Sequence, residues 1–352
     1  MSGFPFDAVL FDLDGTLVAT DSFWPDVARV ATLRVFQERG ISRPVPGAAE
    51  WMAMVGLPLE QAFEVAFGDL DGASRSALLT ACAEAGHAQL DRHGATLLAG
   101  VEETLTELAA RGVRLGIASN CAPEYLELML TRAGLERWIE EGRCLASPGV
   151  RDKADMVEDL LHTFGTRSAV MVGDRAGDRD AAWANGLPHV HIPRGYCGGG
   201  DDGVEAEAVL AGMEELVPAC MARAQTLGEL GERLDGARRV VVTGLPFAGR
   251  SGLAEELAAV LLEAGSSPAE VQTVEPGAAG AALAGADALV LVSARTAVLE
   301  RRARGRRVGL APVERLVEEL PGAQRSLDRL QGEGASRILH VDNSNVLAPR
   351  LR

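Results

Sequence analysis

The stretch FDLDGTL, Phe11 to Leu17, constrains this chain more than any other. It continues an apolar run, Ala8-Val9-Leu10-Phe11, that predicts a buried β-strand. Asp12 and Asp14 stand two residues apart, so an extended backbone aims both carboxylates the same way. Gly15-Thr16 then supplies a tight turn. Two carboxylates at a strand's C-terminal end make a hard oxygen site suited to magnesium. A carboxylate held there is also a nucleophile toward phosphorus. The competing interpretation is a strand end with solvated acids, and the rest of the chain decides between the two.

Residues 19–95 read as helical. Asp21–Arg39, Pro46–Val55, Leu59–Phe67 and Ala73–His93 each space apolar residues at i, i+3 and i+4, with Gly and Pro at the joins. From Gly100 the pattern becomes α/β. Helices are expected over Val101–Arg111, Pro123–Ala133, Asp152–Phe164 and Asp180–Asn185. Strands are expected over 113–118, 168–172 and 189–192, followed by a glycine-rich loop, Gly195–Gly203. Strands alternating with helices imply a parallel, doubly wound sheet. The polar clusters fall just past strand C-termini, where such sheets bind ligands. Ala219–Leu234 reads as a helical connector broken by Gly228 and Gly231. A second α/β pattern opens at Arg238–Thr243, with strands near 270–275, 287–293, 307–310 and 337–342.

Charge marks the same division. Residues 237–352 carry 15 Arg against 13 Asp+Glu, a net of +2, so the chain total of −16 leaves −18 on the remainder. An acidic first part is poorly suited to phosphate contacts with nucleic acid. The five cysteines are scattered and odd in number, as in a reduced compartment. The start, MSGFPFDAVLFD, lacks a basic n-region, and no apolar run approaches a membrane span. The expectation is a cytoplasmic protein. Lys153 is the only lysine; the other 33 basic residues are arginines.

Four elements converge on one chemistry. Asp12 and Asp14 follow the first strand. Ser119-Asn120 offers a hydroxyl and an amide to a phosphoryl oxygen. Lys153 begins a helix, and Asp174 and Asp178, in GDRAGD, add carboxylates for a metal. In order and spacing these residues resemble the four motifs of the haloacid dehalogenase-like (HAD) superfamily, and the helical insertion resembles the cap of its phosphoglycolate phosphatase-like branch. The resemblance covers about residues 6–218. It implies a Rossmann-like core over 1–18 and 96–218, a helical cap over 19–95 and a linker over 219–236. It also implies roles. Asp12 is then the nucleophile and a magnesium ligand. Asp14 protonates the leaving oxygen, activates water and lends its carbonyl to the metal. Ser119 and Lys153 hold the phosphoryl group with Asn120 and the Gly15 turn, and Asp174 and Asp178 complete or support the metal site. Asp14 separates a phosphatase from the family's dehalogenases, since an alkoxide leaving group needs a proton. A phosphomutase would use the same residues. Asp21, Trp24 and Arg43, near the cap entry, are candidates for substrate contacts, with a structural role as the competing interpretation. The histidines are read as structural.

In the last segment, 237–352, Val240–Thr243 leads into GLPFAGRS, Gly244 to Ser251, and then a long helix. The spacing fits a P-loop, GxxxxGK[ST], except that Arg250 replaces the lysine. The segment resembles the P-loop nucleoside and coenzyme kinases. The arginine run Arg295, Arg301, Arg302, Arg304, Arg306 and Arg307 is similar to that family's phosphate clamp. No acid closes the strand at 289–293, and Glu275 is a weak stand-in. Gly244, Gly249, Arg250 and Ser251 are the candidate nucleotide contacts, for ATP or another nucleotide. Arginine is a poor exchange for a P-loop lysine, so weak or absent turnover is expected. The resulting expectation is a magnesium-dependent phosphatase of small phosphorylated metabolites fused to a P-loop-like domain. A bifunctional phosphatase–kinase and a nucleotide-sensing protein are the alternatives. The acidic first domain and the cap argue against a polynucleotide substrate.

Overall fold

The computed structural model describes residues 3–194, 196, 203–263, 270–282, 286–305, 312–330 and 337–351. The expected strand near 307–310, Arg306, Arg307 and most of the glycine-rich loop lie outside them. The chain forms two compact units. One comprises Phe6–Ala182 with Leu187–Leu216, and the other is built chiefly on Val217–Arg352. Among the described residues no helix is long and apolar enough to cross a membrane.

The first unit runs β1 (Ala8–Phe11), α1 (Trp24–Arg39), α2 (Ala48–Met54), α3 (Leu59–Phe67), α4 (Gly72–His93), α5 (Val101–Ala110), β2 (Arg114–Ala118), α6 (Pro123–Arg132), β3 (Glu141–Arg143), α7 (Lys153–Phe164), β4 (Ala169–Gly173), α8 (Ala176–Ala184), β5 (His189–His191) and β6 (Ala208–Val209). Its six strands are parallel in the order β3-β2-β1-β4-β5-β6. β1 and β4 are buried throughout, as a sheet covered on both faces requires. Phe11 is in register with Ile117 and with Val172, so three strands end level. The chain therefore delivers Asp12, Ser119 and Asp174 side by side, at the point where strand order reverses.

Helices α1 to α4 form the insertion, closed on its own aromatic core. Trp51 packs on Phe63 and Phe67 with ring centroids 6.1 and 5.9 Å away. In this unit the sequence does not predict β3 and β6; both are short and only half-buried or exposed, so neither leaves an apolar run. The helix expected at Asp180 begins at Ala176 instead, because Asp178 in its first turn accepts from the Arg175 N–H at 3.0 Å and satisfies a free helix-end donor.

The second unit opens with α9 (Leu216–Arg233), followed by β7 (Arg239–Gly244), α10 (Arg250–Glu263), β8 (Glu270–Thr273), α11 (Ala279–Ala282), β9 (Ala288–Ser293), α12 (Thr296–Gly305), α13 (Pro312–Leu330), β10 (Ile338–Asp342) and β11 (Arg350–Leu351). The sheet order is β11-β10-β9-β7-β8, parallel except for β11. The expected break of α9 at Gly228 and Gly231 does not occur. Leu227, Leu230 and Leu234 are buried in this unit's core, and a Cβ on Gly231 would stand 2.8 Å from Val260 Cγ1. Glycine there permits close helix packing rather than a break, and burial outweighs its poor helix propensity.

Candidate active site

Asp152 caps α7 by accepting from the N–H groups of Ala154 and Asp155, which makes Lys153 the first residue of the helix. The Lys153 side chain is buried, and its Nζ donates to Asp12 Oδ1 and Asp178 Oδ1, both at 2.7 Å. Burial acts against the ammonium, but the two carboxylates outweigh it and hold the pKa above the usual lysine value. Burial also pushes Asp12 up to about 6, with Lys153 opposing. Asp174 is raised well above the carboxylate range by burial and by the neighbouring charges of Asp12 and Asp178.

Asp12, Asp174 and Asp178 each bring a carboxylate oxygen within 4.8 Å of the others. One ammonium balances one of those three charges. Asp12 Oδ2 and both oxygens of Asp174 are buried without a hydrogen-bond partner, whereas buried polar atoms normally have one. A hard divalent cation fits this donor set, and it fits the charge imbalance. Gly15 forms part of the same cradle. Its φ is +84°, and a Cβ there would stand 2.7 Å from Asp174 Oδ2 and 2.6 Å from Tyr196 Cε2.

Asp14 faces a different set of partners. Its Oδ1 accepts from Thr20 Oγ1 at 2.6 Å and from Tyr125 OH at 2.8 Å. Burial raises its pKa to about 6, and those two hydrogen bonds restrain the rise. Ser119 is buried at the end of β2. Asn120 Nδ2 donates to the carbonyl of Gly56 in the insertion, so this amide ties cap to core. Arg175 makes a second tie, from Nη2 to Met52 O at 3.1 Å. Trp24 lines the cavity between cap and core. Asp21 accepts from Tyr196 OH at 2.9 Å. Arg43 pairs with Asp69 and stacks over Phe67, a structural position. Burial pushes the pKa of His189 down to about 3, which keeps it neutral in β5.

Thr20, Tyr125, Arg175 and Tyr196 were not singled out in the sequence. Thr20 lies just past the first motif, and its distance from Asp14 was the one available signal. Tyr125 is 111 residues from the group it holds.

In the second unit, Gly244 to Ser251 joins β7 to α10. A Cβ on Gly244 would collide with Val292 O at 2.2 Å, and Gly249 has φ +83°. Phe247 is also left-handed, at φ 60°. Arg302 donates to the carbonyls of Phe247 and Asn343, at 3.2 and 2.7 Å, and Asn343 Nδ2 donates to Ala248 O at 2.7 Å. Arg250 begins α10, its side chain outside the described set, and Ser251 is exposed.

Residues 9–192, just over half of the chain, match the family model of haloacid dehalogenase-like hydrolases. The match ends short of the second sheet. The chain is 35% identical over 212 residues to a phosphoglycolate phosphatase of Xanthomonas campestris pv. campestris (strain 8004), across 57% of this chain and 89% of that one. It is 33% identical over 210 residues to a phosphoglycolate phosphatase of Rhodospirillum rubrum, across 54% and 80%. The crystal structure of a predicted phosphoglycolate phosphatase from Haemophilus somnus 129pt shares the fold, with a TM-score of 0.54 at 21% identity over 61% of this chain and 97% of that one.

The geometry around Lys153 generates a prediction. A compact ammonium sits between two carboxylates in a closed space, and a planar guanidinium cannot take its place without displacing one. Lys153→Arg should lower kcat roughly 100-fold or more, the scale of losing one preorganised charge contact. Steady-state phosphate release checks this, and kinetics like those of the wild type would show that the lysine is incidental.

Proposed function

The chain belongs to the haloacid dehalogenase-like hydrolases, and from that premise we propose that its first unit is a magnesium-dependent phosphatase that cleaves a small phosphomonoester through a phosphoaspartyl intermediate on Asp12. One observation carries this reading. Asp12 Oδ1 is fixed by Lys153 while Oδ2 is buried and unpartnered, a nucleophile held ready on one side only.

In the first step an Asp12 oxygen bonds to phosphorus and the ester P–O bond breaks. The leaving alkoxide takes a proton from Asp14, whose pKa of about 6 keeps some acid present around neutrality. Thr20 and Tyr125 both hold Oδ1 of Asp14, which fixes the carboxyl group and leaves Oδ2 outside those bonds. In the second step Asp14, now a carboxylate, takes a proton from water as the water oxygen bonds to phosphorus and the Asp12–phosphorus bond breaks. Lys153 neutralises Asp12 and the phosphoryl oxygens throughout, and Ser119 supplies a donor to the phosphoryl group. Asp12 and Asp174, with Asp178 and the Asp14 carbonyl in support, would hold magnesium. When bound, the ion would draw charge from the phosphoryl oxygens.

Asp12→Asn should lower hydrolysis of a phosphomonoester by more than about 1000-fold with the circular dichroism spectrum unchanged, and excess chelator should silence the wild type until magnesium is restored. Substantial turnover by Asp12→Asn, or by wild type in chelator, would sink the mechanism.

For the second unit we propose a degenerate P-loop that can contact phosphate through backbone N–H groups but transfers it poorly. Arg250 in place of lysine and the lack of an acid in Leu289–Ser293 support this. Calorimetric titration of the full chain with ATP and magnesium, in an Asp12→Asn background, should give weak binding and little phosphate release, and no binding would leave the loop without a phosphate role. Robust ATP turnover there would overturn it.

A further inference from the structure

The cavity between cap and core, about 110 Å³ in volume, opens onto Asp14, Ser119 and Asn120. Beyond that polar floor its wall is built chiefly from Trp24, Trp51, Met54, Leu57 and Phe63, with the imidazole of His87 also in the lining. Among the described residues, no lysine or arginine lines it. Of the nearby arginines, Arg43 pairs with Asp69, and Arg175, which packs on Gly56, donates from Nη2 to Met52 O while its Nε is buried without a hydrogen-bond partner. Trp51 Nε1, buried without a partner, is a neutral donor in this wall.

A carboxylate placed against this apolar wall would lose its hydration and find no lysine or arginine among the lining side chains, only the imidazole of His87. It would also lie near the carboxyl group of Asp14. An apolar body gains instead, because the wall removes its surface from water. A dry cavity of roughly 150 Å³ accepts benzene, so the present volume suits an alcohol of at most about one small ring.

We propose that the substrate is the phosphomonoester of an uncharged, largely apolar short-chain or single-ring alcohol, and that an ester carrying a second anionic group, such as phosphoglycolate, is disfavoured. This rests on the phosphatase reading of the same site. It sets the chain apart in specificity from the relatives that it resembles by sequence, because the cap, not the motif set, supplies the contacts to the leaving group.

The test is phosphate release by the full-length protein with magnesium, on 3-methylbutyl phosphate, 2-phosphoglycolate and an activated aryl phosphate. The alkyl ester should exceed phosphoglycolate in kcat/KM by at least about tenfold, the scale of one or two methylenes in a hydrophobic pocket. Met54→Lys places an ammonium in the wall and should shift the ratio toward phosphoglycolate by a similar factor; Leu57→Arg is the second variant if the first does not fold. Equal or better use of phosphoglycolate by wild type overturns the proposal while leaving the phosphatase reading standing, and so does an unchanged ratio in both variants. Hydrolysis of none of the three esters overturns the phosphatase reading and this proposal with it.

Discussion

The buried ammonium of Lys153, held between Asp12 and Asp178, is the interaction on which the first unit depends. Burying any one of these charges alone would be prohibitive, and mutual pairing makes the arrangement tolerable. The pairing also leaves the site incomplete. Asp174 brings a further buried carboxyl group whose oxygens have no hydrogen-bond partner, and Asp12 keeps one oxygen uncommitted. Three clustered carboxyl groups around one ammonium make a donor set that suits a hard cation. Charge therefore links fold to chemistry here: the sheet register aligns the strand ends, and α7 carries the one cation into the gap between them.

Much of this was legible in the residues, for a physical reason. Asp12, Ser119 and Asp174 each come directly after a short apolar run that fits a buried strand, and parallel strands bring the residues at their C-terminal ends to one edge of the sheet. Lys153 stood out because a chain that otherwise uses arginine keeps one lysine. Thr20 and Tyr125 were not legible in the same way. Their roles exist only when distant elements meet over Asp14, and neither carries a pattern of its own. Asn120 has a partner that its residue type does not reveal: it donates to Gly56 O across the cap–core junction.

The second unit separates the two levels more sharply. Its alternation of strands and helices was plain, and a sheet parallel except for β11 is the outcome. The loop between β7 and α10 keeps the glycines that close approach demands, yet two of its carbonyls are tied to Arg302 and Asn343. Those bonds fix the loop's shape. Position 250 is where the sequence departs from the P-loop spacing pattern. Gly231 teaches a related lesson: glycine in an amphipathic stretch can mark a close helix crossing as well as an ending.

The central claim is that Asp12 carries the phosphoryl group between two half-reactions, with Lys153 holding its carboxylate. Rapid acid quench of the enzyme during turnover of a phosphomonoester, followed by peptide mass spectrometry, tests this directly. The account predicts a phosphate adduct on the peptide containing Asp12, formed within the first turnover and lost when substrate is exhausted. Full turnover with no adduct at any quench time, or an adduct mapped to another residue, would contradict it.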